Sequence, residues 1–381
     1  MIPGPIEIDD AVVRALGRPP KSHLDPEFIE SFGRALEGMR QVFQAPKGQP
    51  FIVAGSGTLA MEMAVANLIE PGDRAVVADI GYFGARMAEI LERHGASVTR
   101  VGAVPGAAPA TSEVARAVAD SKCKLLAVTH VDTSTAVRND VQALAAVGRE
   151  HGALVVVDGV CSVGGEELLQ DAWGVDVALT ASQKAIGAPP GLALVVVSER
   201  ALSAWRSRKC KVASYYADFA AWLPIMEAYE ARKLKYFATP AVNLIEALAE
   251  SLRLLIDDGM PRRVAMHRRT ASAFRAAWKA LDLTQLPTSS EHAAHTLSAV
   301  YYPPGVDAAL VGAVRKEGVV IAGGLHPELG PKYFRVGHMG ACSAADVLGA
   351  VGAIERALAA LGHKPHGVGR AVAAAQAALF A

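Results

Sequence analysis

Lys184 stands in an unusual setting. The apolar, alternating run VDVALTAS leads into it, and the small-residue loop AIGAPPGL leads out of it. The amine therefore falls at the mouth of an expected buried strand. A lysine near apolar surroundings gives up its proton readily and can attack a carbonyl, although a strand-end lysine taken alone more often snorkels into water. Asp158 closes another apolar run, ALVVVD. A carboxylate on a buried strand needs a cation or a hydrogen-bonding partner to stay ionised. Read singly, Asp158 is a strand-end cap. The stretch GSGTLA, residues 55–60, follows a third apolar run and opens a helical segment. Free N–H groups at such a helix start bind anions, and glycine lets the chain approach closely.

The same stretch satisfies G-x-G-x-x-[GA] through Gly55, Gly57 and Ala60, with Asp79 ending the next apolar run. That is a formal dinucleotide fingerprint, so a nicotinamide-dependent dehydrogenase is a rival. No G-K-[ST] follows, which excludes a P-loop. The dehydrogenase leaves Asp158 and Lys184 without a task. An amine, a buried carboxylate and a phosphate cradle at one sheet edge match the needs of pyridoxal phosphate: a nucleophile for its carbonyl carbon, an anion for its ring nitrogen, and donors for its phosphate.

These groups require a sheet to gather them. Short β-branched runs at 50–55, 74–79, 124–130, 153–158, 176–181 and 192–198 alternate with helical segments at 58–69, 83–95 and 141–152. This pattern predicts an α/β domain with a mostly parallel sheet. Functional groups then collect beyond the carboxyl ends of the strands. The α/β domain is placed at 15–255, after an N-terminal segment, 1–14, that lines the cleft or packs on a smaller domain. From about 256 a long helical stretch and short strands at 297–302, 319–323 and 333–338 predict a smaller α+β domain, 256–362. Residues 363–381 read as a terminal helix without an assigned role.

Composition narrows the classes. Lys plus Arg and Asp plus Glu both number 38, so the formal net charge is zero. Neither a nucleic-acid tail nor a polybasic membrane patch is expected. The basic runs RSRKCK at 206–211 and HRRT at 267–270 read as solvated faces or loops. No apolar run reaches membrane-span length. MIPGPIEIDD lacks the features of a secretory signal, and LFA is not a peroxisomal address. The four cysteines form no C-x-x-C pair, so no zinc site, no other metal site and no disulfide framework is expected. A cytoplasmic location fits, with mitochondrial and peroxisomal ones left open.

The runs VDVALTASQKAIGAPPGL, VVVDGVCSVGGEE and THVDTSTAV together resemble the class V aminotransferases of pyridoxal-phosphate fold type I, and within them the alanine–glyoxylate group. AGSGTLAMEMA at 54–64, PIMEAYEA at 224–231, YFATPAVN at 236–243, IAGGLHPELGPKYFRVGHMG at 321–340 and the opening IPGPIEI extend the likeness to about residue 360. The resemblance implies a homodimer with shared active sites that moves an amino group from L-alanine to glyoxylate by a ping-pong mechanism. Serine or ureidoglycine is the alternative donor. Lys184 is implied as the Schiff-base lysine and proton carrier, and Asp158 as the partner of the ring nitrogen. Ser56, Gly57, Thr58 and Gln183 would take the phosphate. Thr133 would lie at the phenolic oxygen, and Val160 would belong to the cofactor pocket. Phe83 falls where the family carries a ring-stacking aromatic, often tryptophan. Tyr236 and Thr239 would reach the phosphate of the other subunit. Arg335 would bind the substrate carboxylate, with Gly4 and His23 nearby. Ureidoglycine-handling relatives tend to carry glutamine at the position of His23, which weighs toward alanine. A cysteine desulfurase, the other rival on this fold, usually has a histidine before the lysine and a reactive loop cysteine; this chain has Gln183 and no obvious loop cysteine.

Overall fold

β-Branched residues pack well on a pleated surface, and a run that is apolar on both faces demands cover from both sides. The six apolar runs accordingly form the buried strands of a seven-stranded sheet. In the structure, a computed structural model that describes residues 1–380, the strands are β1 (Gln49–Ala54), β2 (Arg74–Asp79), β3 (Ser97–Gly102), β4 (Leu125–Thr129), β5 (Leu154–Asp158), β6 (Val177–Ala181) and β7 (Leu192–Val197). Their order is β1-β7-β6-β5-β4-β2-β3. β7 runs antiparallel to both of its neighbours, and every other pairing is parallel. The carboxyl ends of β1, β2, β4, β5 and β6 therefore share one edge, with Thr129 in register with Asp158.

β3 has no counterpart among the expected strands. It is an edge strand whose residues Ser97, Thr99, Arg100 and Gly102 are exposed, so no apolar run betrays it. The strand expected at 319–323 shrinks to β9 (Ala322–Gly323). It pairs only with residues 334–335 of β10 (Tyr333–Gly337), which also pairs with β8 (Leu297–Tyr301). The HRRT run is not a solvated face throughout. On helix Met260–Ala280, Arg268 and Arg269 face water, but His267 and Thr270 are buried.

Two large hydrophobic cores form, with a third, small cluster that draws on both parts of the chain through Val131, Cys161, Leu297 and Tyr333. The larger surrounds the seven-stranded sheet. The smaller includes Phe274, Trp278, Phe334, Val336 and Ile354, together with Ala371, Ala375 and Leu379 of the terminal helix Arg370–Phe380. That helix lies against helices Met260–Ala280 and Ala344–Ala360. Polar links join the two parts: Glu166 accepts from the His295 backbone N–H at 2.5 Å and contacts His295 Nδ1 at 2.7 Å, while Thr296 Oγ1 donates to Cys161 O at 2.7 Å. No described helix is long and apolar enough to cross a membrane.

The opposite edge of the sheet is held by Asp176, which is buried. It accepts from Val155 N–H (2.8 Å), Arg200 Nε (2.7 Å) and Ser198 Oγ (3.1 Å). Removing one member of a buried pair leaves the other unpaired, and here the arginine keeps some contact with water. Asp176→Ala is therefore expected to lower stability by about 2–4 kcal/mol, measured by urea unfolding. Cofactor binding at the far edge should not change.

Candidate active site

The loop carrying Lys184 connects two antiparallel neighbours, β6 and β7, and is hydrogen-bonded at its base. Ser182 N–H donates to Leu192 O (3.2 Å), Ser182 Oγ to Pro189 O (2.6 Å) and Ala188 N–H to Ser182 O (3.0 Å). The Lys184 side chain is 7% exposed, and its Nζ donates to Pro3 O. The N-terminal segment passes directly over it. Ile6 N–H donates to Gln183 O (3.1 Å), and Gly337 N–H, at the end of β10, donates to Met1 O (2.8 Å). Gly4 has φ +97°, a backbone conformation that favours glycine, and a Cβ there would lie 2.6 Å from Lys184 Cδ and displace that side chain. Burial pulls the Lys184 amine below the ordinary lysine range, and the Arg335 guanidinium adds to this.

Asp158 is buried at the end of β5. One oxygen accepts from Val160 N–H at 3.0 Å. Burial pushes its carboxyl up to about 6, with the nearby Asp132 charge acting in the same direction and the Val160 N–H against it. Such a group is costly to ionise until a cation meets it. Val160 leads back to the helix that starts beyond β1: a Cβ on Gly57 would lie 2.9 Å from Val160 Cγ2, so only glycine lets this helix start come so close. Ser56 is the N-cap of that helix, Gly57–Leu68, yet its side chain makes no capping bond. Ser56 and Thr58 are exposed, and the Gln183 Oε1 atom is buried without a partner. The exposed Ser56 and Thr58 hydroxyls, the helix N–H groups and the Gln183 side-chain NH2 form a donor set suited to a phosphate.

Phe83 begins helix Tyr82–Arg93. The Arg86 guanidinium lies 4.8 Å from its ring centre, and Arg86 Nη1 donates to Thr58 Oγ1 at 3.0 Å. The Phe83 N–H donates to Asp132 Oδ2 (2.8 Å), one residue before Thr133. Thr133 is buried, and its carbonyl accepts from Arg335 Nη1 at 3.1 Å. Arg335 Nε donates to Gly323 O at 2.8 Å. Two backbone carbonyls thus aim the guanidinium, and Nη2 has no acceptor among the described residues.

Eleven of the expected site residues therefore join one chain of contacts: Gly4, Ser56, Gly57, Thr58, Phe83, Thr133, Asp158, Val160, Gln183, Lys184 and Arg335. His23, Tyr236 and Thr239 form a second group. Tyr236 OH lies 3.4 Å from Thr239 Oγ1, and the His23 and Tyr236 rings are 5.7 Å apart. No hydrogen bond joins this group to the first among the described residues. Sequence reasoning missed Asp132, Ser134, Arg86 and the carbonyl of Pro3. The run THVDTSTAV places an aspartate directly before Thr133. Asp79, the acidic residue of the dinucleotide fingerprint, is occupied: Arg100 Nη2 lies 2.5 Å from it, and Gly81 N–H donates to it at 3.0 Å.

A profile of the family described as Aminotransferase class-V matches residues 13–344. The chain is 41% identical over 355 residues to alanine–glyoxylate aminotransferase 1 of Saccharomyces cerevisiae, covering 89% of this chain and 91% of that one. It is 34% identical over 382 residues to L-aspartate–glyoxylate aminotransferase of Paracoccus denitrificans, covering 98% and 94%. The solved structure of ureidoglycine–glyoxylate aminotransferase from Bacillus subtilis superposes with a TM-score of 0.93 at 28% identity, covering 100% of this chain and 97% of the other. Such agreement over nearly the whole length, on a fold type I scaffold with a fitting donor set, makes this chain a class V aminotransferase whose cofactor is pyridoxal 5′-phosphate.

Proposed function

We propose that the enzyme transfers the amino group of L-alanine to glyoxylate, giving pyruvate and glycine in two half-reactions. The observation that weighs against a dicarboxylate donor is the lack of a spare cation beside Arg335 within one chain. Arg335 is aimed and has Nη2 to offer one carboxylate, whereas Arg86 is engaged by Thr58 and two aromatic rings, and Arg100 by Asp79. A donor with a second carboxylate finds no partner for it. Likeness to the yeast alanine enzyme supports the same choice.

When bound, pyridoxal phosphate supplies an electrophilic carbonyl carbon and a ring that accepts the electrons left when a substrate Cα loses its proton. The residues of the chain do the rest. Lys184 Nζ, buried and less basic than usual, would be the amine that holds that carbon and, once free, the base for the substrate Cα proton. Asp158 would hold the proton on the ring nitrogen. The start of helix Gly57–Leu68, with Ser56, Thr58 and Gln183, would bind the phosphate. Phe83 would cover the ring, Val160 would line the pocket, and Thr133 would meet the phenolic oxygen. Gly4 keeps the N-terminal segment close enough to wall the site.

Arg335 meets the α-carboxylate of both substrates. A bidentate charge-assisted pair in a partly dry site is worth about 2–5 kcal/mol on truncation. Arg335→Ala should therefore lower kcat/KM by about 30-fold to several thousand-fold for alanine and glyoxylate alike. Arg335→Lys should recover only part, since an ammonium lacks the planar fork. Unaltered glyoxylate kinetics in the alanine variant would remove Arg335 from the site. A panel of alanine, serine, aspartate, glutamate and ureidoglycine as donors to glyoxylate, followed at the cofactor's absorption bands, tests the donor; a preference for any of the others over alanine sinks the assignment.

The second group of residues fits a homodimer with shared sites. Tyr236, Tyr215, Leu24 and Leu234 are large and apolar, yet 63%, 82%, 54% and 47% exposed. An exposed set of this kind suits a partner surface. It would bring Tyr236, Thr239 and His23 to the site of a second copy. Sedimentation at micromolar concentration should give twice the chain mass.

A further inference from the structure

We propose that Asp132 is a positioning residue for the cofactor: its carboxylate fixes the start of helix Tyr82–Arg93, and with it the Phe83 ring, as one unit with the loop that aims Arg335. The proposal rests on the reading that Phe83 covers the cofactor ring.

Helix Tyr82–Arg93 has a glycine, Gly81, as its N-cap, so it has no side-chain cap of its own. Its first donors are satisfied from across the sheet edge. Tyr82 N–H donates to Ser134 Oγ (3.0 Å), while Phe83 N–H (2.8 Å) and Gly84 N–H (3.3 Å) both donate to Asp132 Oδ2. The other carboxylate oxygen accepts from Ser134 N–H (2.8 Å) and Ser134 Oγ (2.5 Å). Asp132 is fully buried and has no ion-pair partner among the described residues. Burial pushes its carboxyl up, and these four donors and the positive end of the helix work against that.

The same loop faces the other way as well. Its carbonyls at Thr133 and Ser134 accept from Arg335 Nη1 (3.1 Å) and Tyr333 OH (2.5 Å), both on β10. Asp132 N–H donates to Val137 O (3.0 Å), which closes the loop on itself. His130 N–H, two residues earlier, donates to the carbonyl of Asp158 (2.9 Å). One short segment thus sets the aromatic cover, the carboxylate-binding arm and the ring-nitrogen partner relative to one another. A loosened cap would let Phe83 tilt without unfolding the sheet, since a helix start is held by such local bonds.

The test is a double-mutant cycle on pyridoxal phosphate affinity, measured by titrating apoenzyme, with the visible circular dichroism of the bound cofactor as a second readout. Phe83→Ala and Asp132→Asn should each weaken binding by about tenfold or more and reduce the dichroic band. The double variant should be within about twofold of Phe83→Ala alone, because residues acting through one contact are not additive. Ser134→Ala, which removes only the outer bonds, should shift both readouts the same way by less, and it serves if Asp132→Asn does not fold. Wild-type affinity and dichroism in Asp132→Asn, or effects that multiply in the double variant, overturn the proposal. If Phe83→Ala alone changes neither readout, the ring-covering reading has failed, and the proposal fails with it at its premise.

Discussion

Lys184→Ala is expected to lower turnover by about 10³–10⁴-fold while the protein stays folded and still takes up pyridoxal phosphate without a covalent bond. The size follows from the two tasks placed on one amine. Lys184 Nζ is both the proposed tether and the proposed base at the substrate Cα, and the amine is held below its ordinary basicity by burial. The arginines of the site, Arg335 and Arg86, stay protonated and cannot take a proton. Steady-state rates with alanine and glyoxylate measure the loss. Borohydride treatment followed by peptide mass analysis should find the cofactor on Lys184 in the wild type and nowhere in the variant. Addition of a small primary amine should restore a fraction of the rate. Turnover within tenfold of wild type, or a wild-type adduct on a different lysine, would displace Lys184 from its role.

The second large effect concerns Asp158. Asp158→Asn should reduce kcat by about 10²–10³-fold, the range seen when one preorganised electrostatic partner is removed. An amide keeps the bond from Val160 N–H but cannot hold a proton on the ring nitrogen. Its effect on the apoprotein should run the other way. The Asp158 carboxyl is pushed up to about 6 by burial, above the value it has in an unfolded chain. The unfolded state thus gives up this proton first as pH rises. The native state bears a cost that is absent below about pH 4, grows between about 4 and 6, and is complete above that, on the order of 2–3 kcal/mol. Apo Asp158→Asn, free of that cost, should be at least as stable as the wild-type apoprotein at pH 7.5, and the gap should close as pH falls toward 4. A variant that is less stable at neutral pH and keeps near-normal kcat would make Asp158 a structural cap.

Asp158 and Lys184 were legible because each ends an apolar strand, and the alternation of strands and helices sends such ends to one edge. β3 was not legible, because an edge strand with Ser97, Thr99 and Arg100 in water has no hydrophobic signature. Asp132 was hidden for another reason. Its partners are backbone N–H groups of residues 83 and 84, and a backbone donor has no letter in a sequence. The carbonyl of Pro3 above Lys184 escaped in the same way. Family likeness sets Tyr236 and Thr239 apart by giving them to the other subunit, but it places His23 beside Arg335, whereas in the structure the His23 ring lies 5.7 Å from the Tyr236 ring.

The hairpin connection between β6 and β7 sets the local concentration of the Lys184 amine. A loop closed at its base by Ser182, Ala188 and Leu192 leaves only the side-chain torsions free. If Lys184 is the proposed tether, an amine displaced from its carbon would stay within its own reach of it. Effective molarities for well-oriented groups of this kind reach about 10⁵–10⁸ M, far above any amine in solution. Recapture of the carbon by Lys184 should therefore outrun loss of the cofactor to the medium at the end of each cycle. Inserting flexible residues between Gly187 and Gly191 would dilute that amine and shorten the time for which the cofactor is retained.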